Sequence, residues 1–168
     1  MTDPKEKLLQ AYNHMVDELH AAVEKAEETL SPTIDEMLAN AERLSKKAYA
    51  LTQDEAKAIT EHLKRDIASA RKYMQVDGKE FKQWLSFDIQ QVEDRFASFL
   101  SKAADKTWID FRALEILGKK NAIYKTGEIC SAGTLRCSDC GQTMQLTKNS
   151  HIPPCPKCHH TTFERVSS

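Results

Sequence analysis

Cys137-Ser138-Asp139-Cys140-Gly141 and Cys155-Pro156-Lys157-Cys158 are the stretches that decide the fold of the C-terminal part of this 168-residue chain. Each contains a C-x2-C pair, and 14 residues, 141 to 154, separate the two pairs. A structural Zn(II) takes four donors in a tetrahedron, and two such pairs deliver four thiolates to one point. The spacer is slightly shorter than the usual length of about 15 to 20 residues, yet it allows a short hairpin. The pattern therefore predicts one structural zinc ion bound by Cys137, Cys140, Cys155 and Cys158.

The residues around the two pairs leave alternatives open. Two disulfides or free buried thiols are the other interpretations of four cysteines, and disulfides are rare in a reducing cytosol. His151, His159 and His160 lie close to the second pair in sequence, and one of them could replace a cysteine as ligand. Because four cysteines already complete a tetrahedral shell, we expect these histidines beside the site or on the surface.

Cys130 is the fifth cysteine and is left over from this assignment. We weigh three roles for it: a small buried apolar residue, an exposed thiol without consequence, or a redox-active group. The first is favoured, because free cysteine is among the most buried residue types.

Composition indicates an ordinary globular protein, with 40% hydrophobic and 29% charged residues. The longest apolar run is four residues, 48 to 51, so nothing in the sequence is long enough to span a bilayer. The N-terminus leads into an amphipathic pattern without a signal-peptide core. We therefore expect a cytoplasmic protein with reduced thiols and no membrane partner.

Charge argues against a nucleic-acid binder. The formal net charge is −1, with residues 1 to 121 at −3 and residues 122 to 168 at +2. Four thiolates around one Zn(II) add −2, which brings the C-terminal part close to neutrality. The net charge therefore shows no basic excess of the kind typical of nucleic-acid binding. Seven basic residues could still cluster on one side: Lys119, Lys120, Lys125, Arg136, Lys148, Lys157 and Arg165.

The first 117 residues are predicted to be mostly helical, because only three of the ten glycines and prolines precede residue 118. Asp3-Pro4 is a helix start, with aspartate as N-cap and proline at the first helical position. Ser31-Pro32 predicts a break and a new N-cap at Ser31. Thr52-Gln53-Asp54-Glu55 has the pattern of a capping box and should open a third helix. Whether residues 80 to 117 form one helix or two is left open, with a weak break at 101 to 105.

Apolar residues in the first helix recur in steps of three and four, at Leu8, Tyr12, Met15, Leu19, Ala22, Ala26 and Leu30. This spacing is typical of a coiled-coil-like seam. We expect packing within the chain as an antiparallel helical bundle, and the alternative is a seam shared with a second copy in a homo-oligomer.

Short alternating runs at 134–136, 143–146 and 161–164 predict three small antiparallel strands around the metal. The predicted fold class is therefore mainly α: a helical bundle or coiled-coil-like domain over residues 1–120, followed by a small β zinc-ribbon domain over residues 121–168. So small a module buries little apolar surface, and zinc binding, worth about 10 to 16 kcal/mol in small zinc peptides, can supply the missing stability.

The stretches 133–141 and 151–158, behind an acidic helical region, resemble the bacterial YbeL-like zinc-ribbon family. The resemblance implies a C-terminal zinc ribbon with the same four cysteines as ligands, and it implies no established activity. Its ribbon motif is specific, whereas the helical part is similar in length and character only. One departure is His159, which stands where zinc knuckles usually place glycine, so the geometry of that turn is in question.

Little in the sequence predicts an enzyme. Four thiolates leave no open position on a zinc ion, and neither an H-E-x-x-H motif nor a phosphate-binding glycine loop is present. His14, His62 and the pair Asp17 and His20 are expected to be surface or hydrogen-bonded helix residues. We therefore predict a non-catalytic interaction protein, with a structural zinc and a helical region that binds another protein. The alternative is a nucleic-acid-binding or RNA-polymerase-associated regulator that uses the ribbon and a helical hairpin.

Overall fold

The computed structural model describes residues 3–27, 30, 33–76, 95–106, 109–112, 114 and 122–166. Helices form the first part: α1 (Pro4–Lys25), α2 (Ile34–Ala48), α3 (Gln53–Val76) and α4 (Arg95–Asp105). Short strands form the second: β1 (Tyr124–Lys125), β2 (Ile129–Cys130), β3 (Gly133–Cys137), β4 (Thr143–Leu146), β5 (Ser150–His151) and β6 (Thr162–Val166). This order confirms a mainly α chain with a small C-terminal β region. The predicted boundary after residue 120 adjoins residues outside the described ranges and stays a prediction.

Two of the three predicted helix starts are confirmed. The Asp3 side chain accepts a hydrogen bond from the Lys5 N–H at 3.0 Å, and Pro4 opens α1. At α3, the Thr52 N–H donates to Glu55 Oε2 at 2.9 Å and the Glu55 N–H donates to Thr52 Oγ1 at 3.1 Å. That reciprocal pair is the predicted capping box.

The predicted N-cap at Ser31 is wrong, because α2 begins at Ile34 with Thr33 as its cap. Thr33 Oγ1 accepts a hydrogen bond from the Glu36 N–H at 3.3 Å. Threonine is a good N-cap, and here it stands directly before the first apolar residue of the helix. Residues 31 and 32 lie outside the described ranges.

Helix α1 packs against α2, α3 and α4. Tyr12, Met15 and Leu19 of the predicted seam are fully buried, whereas Leu30 is 73% exposed and is not part of it. Further buried residues widen the stripe on α1: Ala11, Val16 and Val23. A helix with neighbours on several sides buries a broader face than a helix in a two-stranded coiled coil. The predicted coiled-coil pattern therefore accounts for only part of the buried face of α1.

Helix α4 ends at Asp105, so residues 80 to 117 are not one helix. Lys106 follows, and its Nζ donates to the Glu24 carbonyl at 2.7 Å and to the Ala26 carbonyl at 3.2 Å. These carbonyls lie at the C-terminus of α1, and the positive charge of Lys106 suits the negative end of that helix dipole. Beyond Lys106, the Ile34 N–H donates to the Asp110 carbonyl at 2.9 Å, which ties this segment to the start of α2.

The strands form one four-stranded antiparallel sheet in the order β1-β6-β3-β4 and one two-stranded pair, β2-β5. In the four-stranded sheet, Cys137 of β3 pairs with Phe163 of β6, and Leu135 of β3 pairs with Met144 of β4. The three predicted strands correspond to β3, β4 and β6. The other three strands are two residues long, too short to show alternation. No described helix has the length and apolar character needed to cross a membrane.

Candidate metal centre

The first C-x2-C pair begins at the last residue of β3, which places Cys137 at a fixed point of the sheet. The Cys137 N–H donates to the Gln142 carbonyl at 2.8 Å, and the Gly141 N–H donates to the Cys137 carbonyl at 3.1 Å. Gly141 closes the turn with a φ of 75°, a left-handed conformation that glycine adopts without strain.

The second pair repeats this turn. The Cys155 N–H donates to the His160 carbonyl at 2.9 Å, and the His159 N–H donates to the Cys155 carbonyl at 2.9 Å. His159 has a φ of 62° and so takes the conformation that Gly141 takes in the first turn. The missing glycine therefore leaves the turn geometry intact, at the cost of placing a side chain in the left-handed region.

The two turns bring the four cysteine sulfurs together, with all four Sγ atoms within 4.8 Å of one another. Cys137 Sγ lies 3.5 Å from Cys158 Sγ, and Cys140 Sγ lies 3.6 Å from Cys155 Sγ. A zinc–sulfur bond is about 2.3 Å, so neighbouring sulfurs of a ZnS4 tetrahedron are about 3.8 Å apart. The four cysteines can therefore hold a metal ion, and each short sulfur–sulfur distance joins one turn to the other.

The backbone of the second turn also polarises its thiols. The pKa of the Cys155 thiol is lowered to about 6, chiefly by the backbone N–H of Cys158 and further by the N–H of Lys157, although burial acts in the opposite direction. At Cys158 the His160 N–H acts in the same direction, but burial and the three neighbouring thiols outweigh it and raise the pKa to about 12. Cys155 therefore forms a thiolate readily while Cys158 holds its proton, and a bound cation would favour the thiolate at both positions.

The three histidines near the second turn lie apart from the sulfur cluster. His151 Nδ1 lies 3.1 Å from the Gly127 carbonyl oxygen, and His151 Nε2 lies 2.9 Å from the Lys5 carbonyl oxygen. His151 therefore links the strands to the first turn of α1. His159 and His160 are exposed. The group of potential metal ligands found in the described part of the chain contains cysteines alone.

Cys130 is not part of the sulfur cluster; it is buried in the core of the strand region and is 0% exposed. Burial, with a smaller contribution from the Asp66 carboxylate, raises the pKa of its thiol to about 12. A thiol that is buried and protonated is unreactive. The structure supports the first of the three roles weighed for Cys130, a small buried apolar residue.

His14 and His20 on α1 each have a nearby polar partner. His14 Nδ1 lies 2.8 Å from Ser45 Oγ, and His20 Nε2 lies 3.6 Å from Glu24 Oε1. Asp17 pairs with Arg95 at 3.3 Å. Asp17 and His20 thus have separate partners.

A second group of polar side chains, which the sequence did not predict, lies buried or half-buried between the helices and the strands. We call it the interface network: Tyr12 on α1; Arg65, Asp66 and Ser69 on α3; and Tyr124, Glu128, Ser131 and Arg165 in the strand region. A sequence signal for it does exist. Asp66 stands three residues after Leu63 and directly before Ile67, so a charged residue occupies the apolar face of α3.

Two knuckles that end in left-handed residues and present four sulfurs to one point define the zinc-ribbon class of metal site. Residues 20–167 match the family described as "Zinc-ribbon containing domain", and the chain belongs to that family. The resemblance inferred from the cysteine motifs is confirmed.

Relatives extend the likeness over nearly the whole chain. Over 159 residues the chain is 24% identical to the "Uncharacterized protein YbeL" of Escherichia coli strain K12, covering 95% of this chain and 96% of that protein. The proteins of the same name from Escherichia coli O6:H1 strain CFT073 and Escherichia coli O157:H7 match with the same identity and coverage. No solved structure matches significantly.

Proposed function

We propose that this protein is a non-catalytic, zinc-binding interaction protein. Cys137, Cys140, Cys155 and Cys158 hold one structural Zn(II), and the helical region binds another protein. The observation that carries the zinc assignment is the cluster of four sulfurs, all within 4.8 Å, on two matching turns. Zinc supplies stability to a region with a small core of its own. A reducing compartment such as the cytoplasm keeps the thiolates available to the metal.

Four thiolates support a structural rather than a catalytic ion. Catalytic zinc has three protein ligands and an open position for water or substrate. Here four sulfurs supply the whole tetrahedron, and the nearby histidines contact backbone carbonyls or solvent.

The basic residues of the strand region support a protein partner over nucleic acid. Arg165 is buried, with a side chain 5% exposed, and Arg136 pairs with Glu164. The Arg165 guanidinium is therefore out of reach of phosphates, and the charge of the exposed Arg136 is balanced by Glu164. Besides Arg136, the exposed cations of the described ribbon are three lysines on different loops and strands: Lys125, Lys148 and Lys157.

We also propose that the helices form an intramolecular bundle. The buried face of α1 contacts α2, α3 and α4 of its own chain, which leaves no broad apolar stripe on that helix for a second copy. Analytical ultracentrifugation should show one monomeric species over a wide concentration range. A dimer that dissociates on dilution would favour the homo-oligomer instead.

The zinc assignment is tested by metal analysis of the purified chain beside a Cys155→Ser variant. We expect one zinc per native chain and a large loss of zinc in the variant. A Cys130→Ser variant is the matched control and should keep its zinc. Equal zinc content in Cys155→Ser and native protein would overturn the assignment.

The partner class is tested by two measurements on the intact protein. Affinity purification from cells should enrich a specific protein that survives nuclease treatment. Titration with single-stranded RNA and duplex DNA should show no binding that falls steeply between low and physiological salt. Such salt-dependent binding would instead establish the nucleic-acid-binding regulator.

A further inference from the structure

Asp66 is the centre of the interface network and is 0% exposed. Its Oδ2 accepts hydrogen bonds from the Tyr12 hydroxyl of α1 at 2.5 Å and from the Ser131 N–H of the strand region at 3.1 Å. Its Oδ1 lies 3.7 Å from the Arg165 guanidinium of β6. One carboxylate on α3 thus joins two helices to the strands.

Arg165 reaches this carboxylate from the other side. Its Nη1 donates to the Ala132 carbonyl at 3.0 Å, its Nη2 to the Ser131 carbonyl at 3.1 Å, and its Nε to the Tyr124 hydroxyl at 3.1 Å. That hydroxyl donates in turn to Ser69 Oγ on α3 at 2.8 Å. The guanidinium is therefore fixed by the strand backbone and is linked to α3 twice, through Asp66 and through Tyr124.

A second ion pair crosses the same interface. Arg65 Nη1 donates to Glu128 Oε2 at 2.6 Å, and Arg65 Nη2 donates to the Ile129 carbonyl at 3.0 Å. The Arg65 guanidinium also lies over the Tyr124 ring, 4.0 Å from its centroid, a favourable cation–π contact. Two arginines and two carboxylates balance in charge, with one of each on either side.

Separation of the strands from the helices would break both cross-interface pairs. Asp66 would keep the Tyr12 hydroxyl of α1 and, as a charged partner, Arg65 of its own helix, whose Nε lies 3.5 Å away. Buried charges that lose their partners cost far more than exposed ones. The network therefore favours one way of packing the strands against the helices. It also makes a well-ordered strand region and well-ordered helices α1 and α3 depend on each other.

The metal centre lies at the other end of the strands that carry this network. Cys137 ends β3 and pairs with Phe163 of β6, two residues before Arg165. Leu135 pairs directly with Arg165. A metal ion that joins Cys137 to Cys158 fixes the start of β6 against the end of β3, and so fixes the strand that presents Arg165 to α3.

We propose, on the basis of the proposed zinc site, that the interface network transmits the state of the metal centre to the helices. With metal bound, the strands hold α1 and α3 through Asp66 and Arg165; loss of the metal loosens both helices and exposes the face that the strands cover. That face carries Tyr12, Arg65, Asp66 and Ser69, so metal occupancy decides whether the strands cover these residues.

Amide hydrogen exchange of the intact protein, with zinc and after chelation, tests this inference. The chelator acts at the cysteines, yet loss of the metal should speed amide exchange about tenfold or more in residues 59–70 of helix α3. Tyr124→Phe in the zinc-loaded protein should speed exchange in the same residues and in β6, because it leaves Arg165 Nε and Ser69 without their shared partner. The matched control is Tyr49→Phe, a half-buried tyrosine that packs edge-on against His14; it should leave α3 and β6 unchanged.

Unchanged α3 exchange on chelation of a chain that carries one zinc would overturn the transmission and leave the zinc assignment standing. A purified chain without zinc would overturn both. If chelation unfolds the whole chain, the zinc-loaded Tyr124→Phe variant decides: faster exchange on both sides of the interface supports the inference, and no change in α3 overturns it.

Discussion

His159 and Gly141 close the two metal-binding turns with the same left-handed backbone, one with a side chain and one without. Such a conformation costs a non-glycine residue energy that glycine does not pay. A Cβ on Gly141 would meet no atom within 4 Å, so the effect of a substitution there is one of backbone conformation alone.

We therefore expect opposite effects from His159→Gly and Gly141→Ala. Gly141→Ala should lower the free energy of unfolding of the zinc-loaded protein by about 1 kcal/mol, and His159→Gly should raise it by a smaller amount. Urea denaturation of both variants beside the native protein is the measurement. A change of the same sign in both would contradict the shared role of these two positions.

His62 gives the protein a pH dependence of definite sign. Its Nε2 lies 3.1 Å from Glu128 Oε2, and its Nδ1 is buried without a hydrogen-bond partner in the described part of the chain. Burial first, and then the Arg65 guanidinium, lower the pKa of His62. The native protein thus holds fewer protons at His62 than the unfolded chain does, so stability is present above about pH 6.5 and is lost as the pH falls below it.

His62→Gln should flatten the dependence of the urea midpoint on pH between about pH 5 and 7. The control is His20→Gln, at a half-exposed histidine paired with Glu24; it should keep the native dependence. Identical pH profiles for native protein and His62→Gln would contradict the depressed pKa.

At the scale of single elements, the reciprocal bonds between Thr52 and Glu55 determine where α3 begins. Thr52→Ala removes one of the two bonds and should lower the free energy of unfolding by about 1 kcal/mol. Lys57→Ala, at an exposed position of the same helix, is the control and should stay within about 0.5 kcal/mol of the native value. Thermal or urea denaturation of the two variants is the measurement, and equal losses in the free energy of unfolding would contradict the stabilising role of the cap.

The Arg165 guanidinium of β6 lies close to Gly133 of β3, where an added Cβ would lie 2.1 Å from Arg165 Nη1. Gly133→Ala must displace the guanidinium and should cost about 2 to 4 kcal/mol, from backbone strain and from lost charged hydrogen bonds. Gly127→Ala shares the positive φ but meets no atom within 4 Å, so it should cost only about 1 kcal/mol. Denaturation curves that show equal losses for the two variants would mean that the contact with Arg165 contributes little.

At the scale of the whole molecule, the elements with a local signal were the predictable ones. Cysteine spacing predicted the sulfur cluster, and alternation predicted β3, β4 and β6. The capping pattern predicted the start of α3. Each of these follows from residues close together in sequence.

The interface network was not predictable in the same way, because its partners are distant along the chain. Asp66 meets Tyr12 and Arg165, which lie 54 residues before it and 99 residues after it. The sequence shows that a charge interrupts the apolar face of α3 but not which residues neutralise it. The N-cap of α2 was mispredicted because Ser31 and Thr33 are both good caps. The hydrogen bond from the Ile34 N–H to the Asp110 carbonyl, which favours the start at Ile34, joins residues that are distant in sequence.

X-ray absorption at the zinc edge of the purified protein tests whether four thiolates form the complete ligand set of the metal. We predict a single shell of about four sulfur atoms at about 2.3 Å. A shell that contains nitrogen or oxygen at about 2.0 to 2.1 Å would show an imidazole or water ligand on the metal, and it would contradict the assignment of Cys137, Cys140, Cys155 and Cys158 as the complete ligand set.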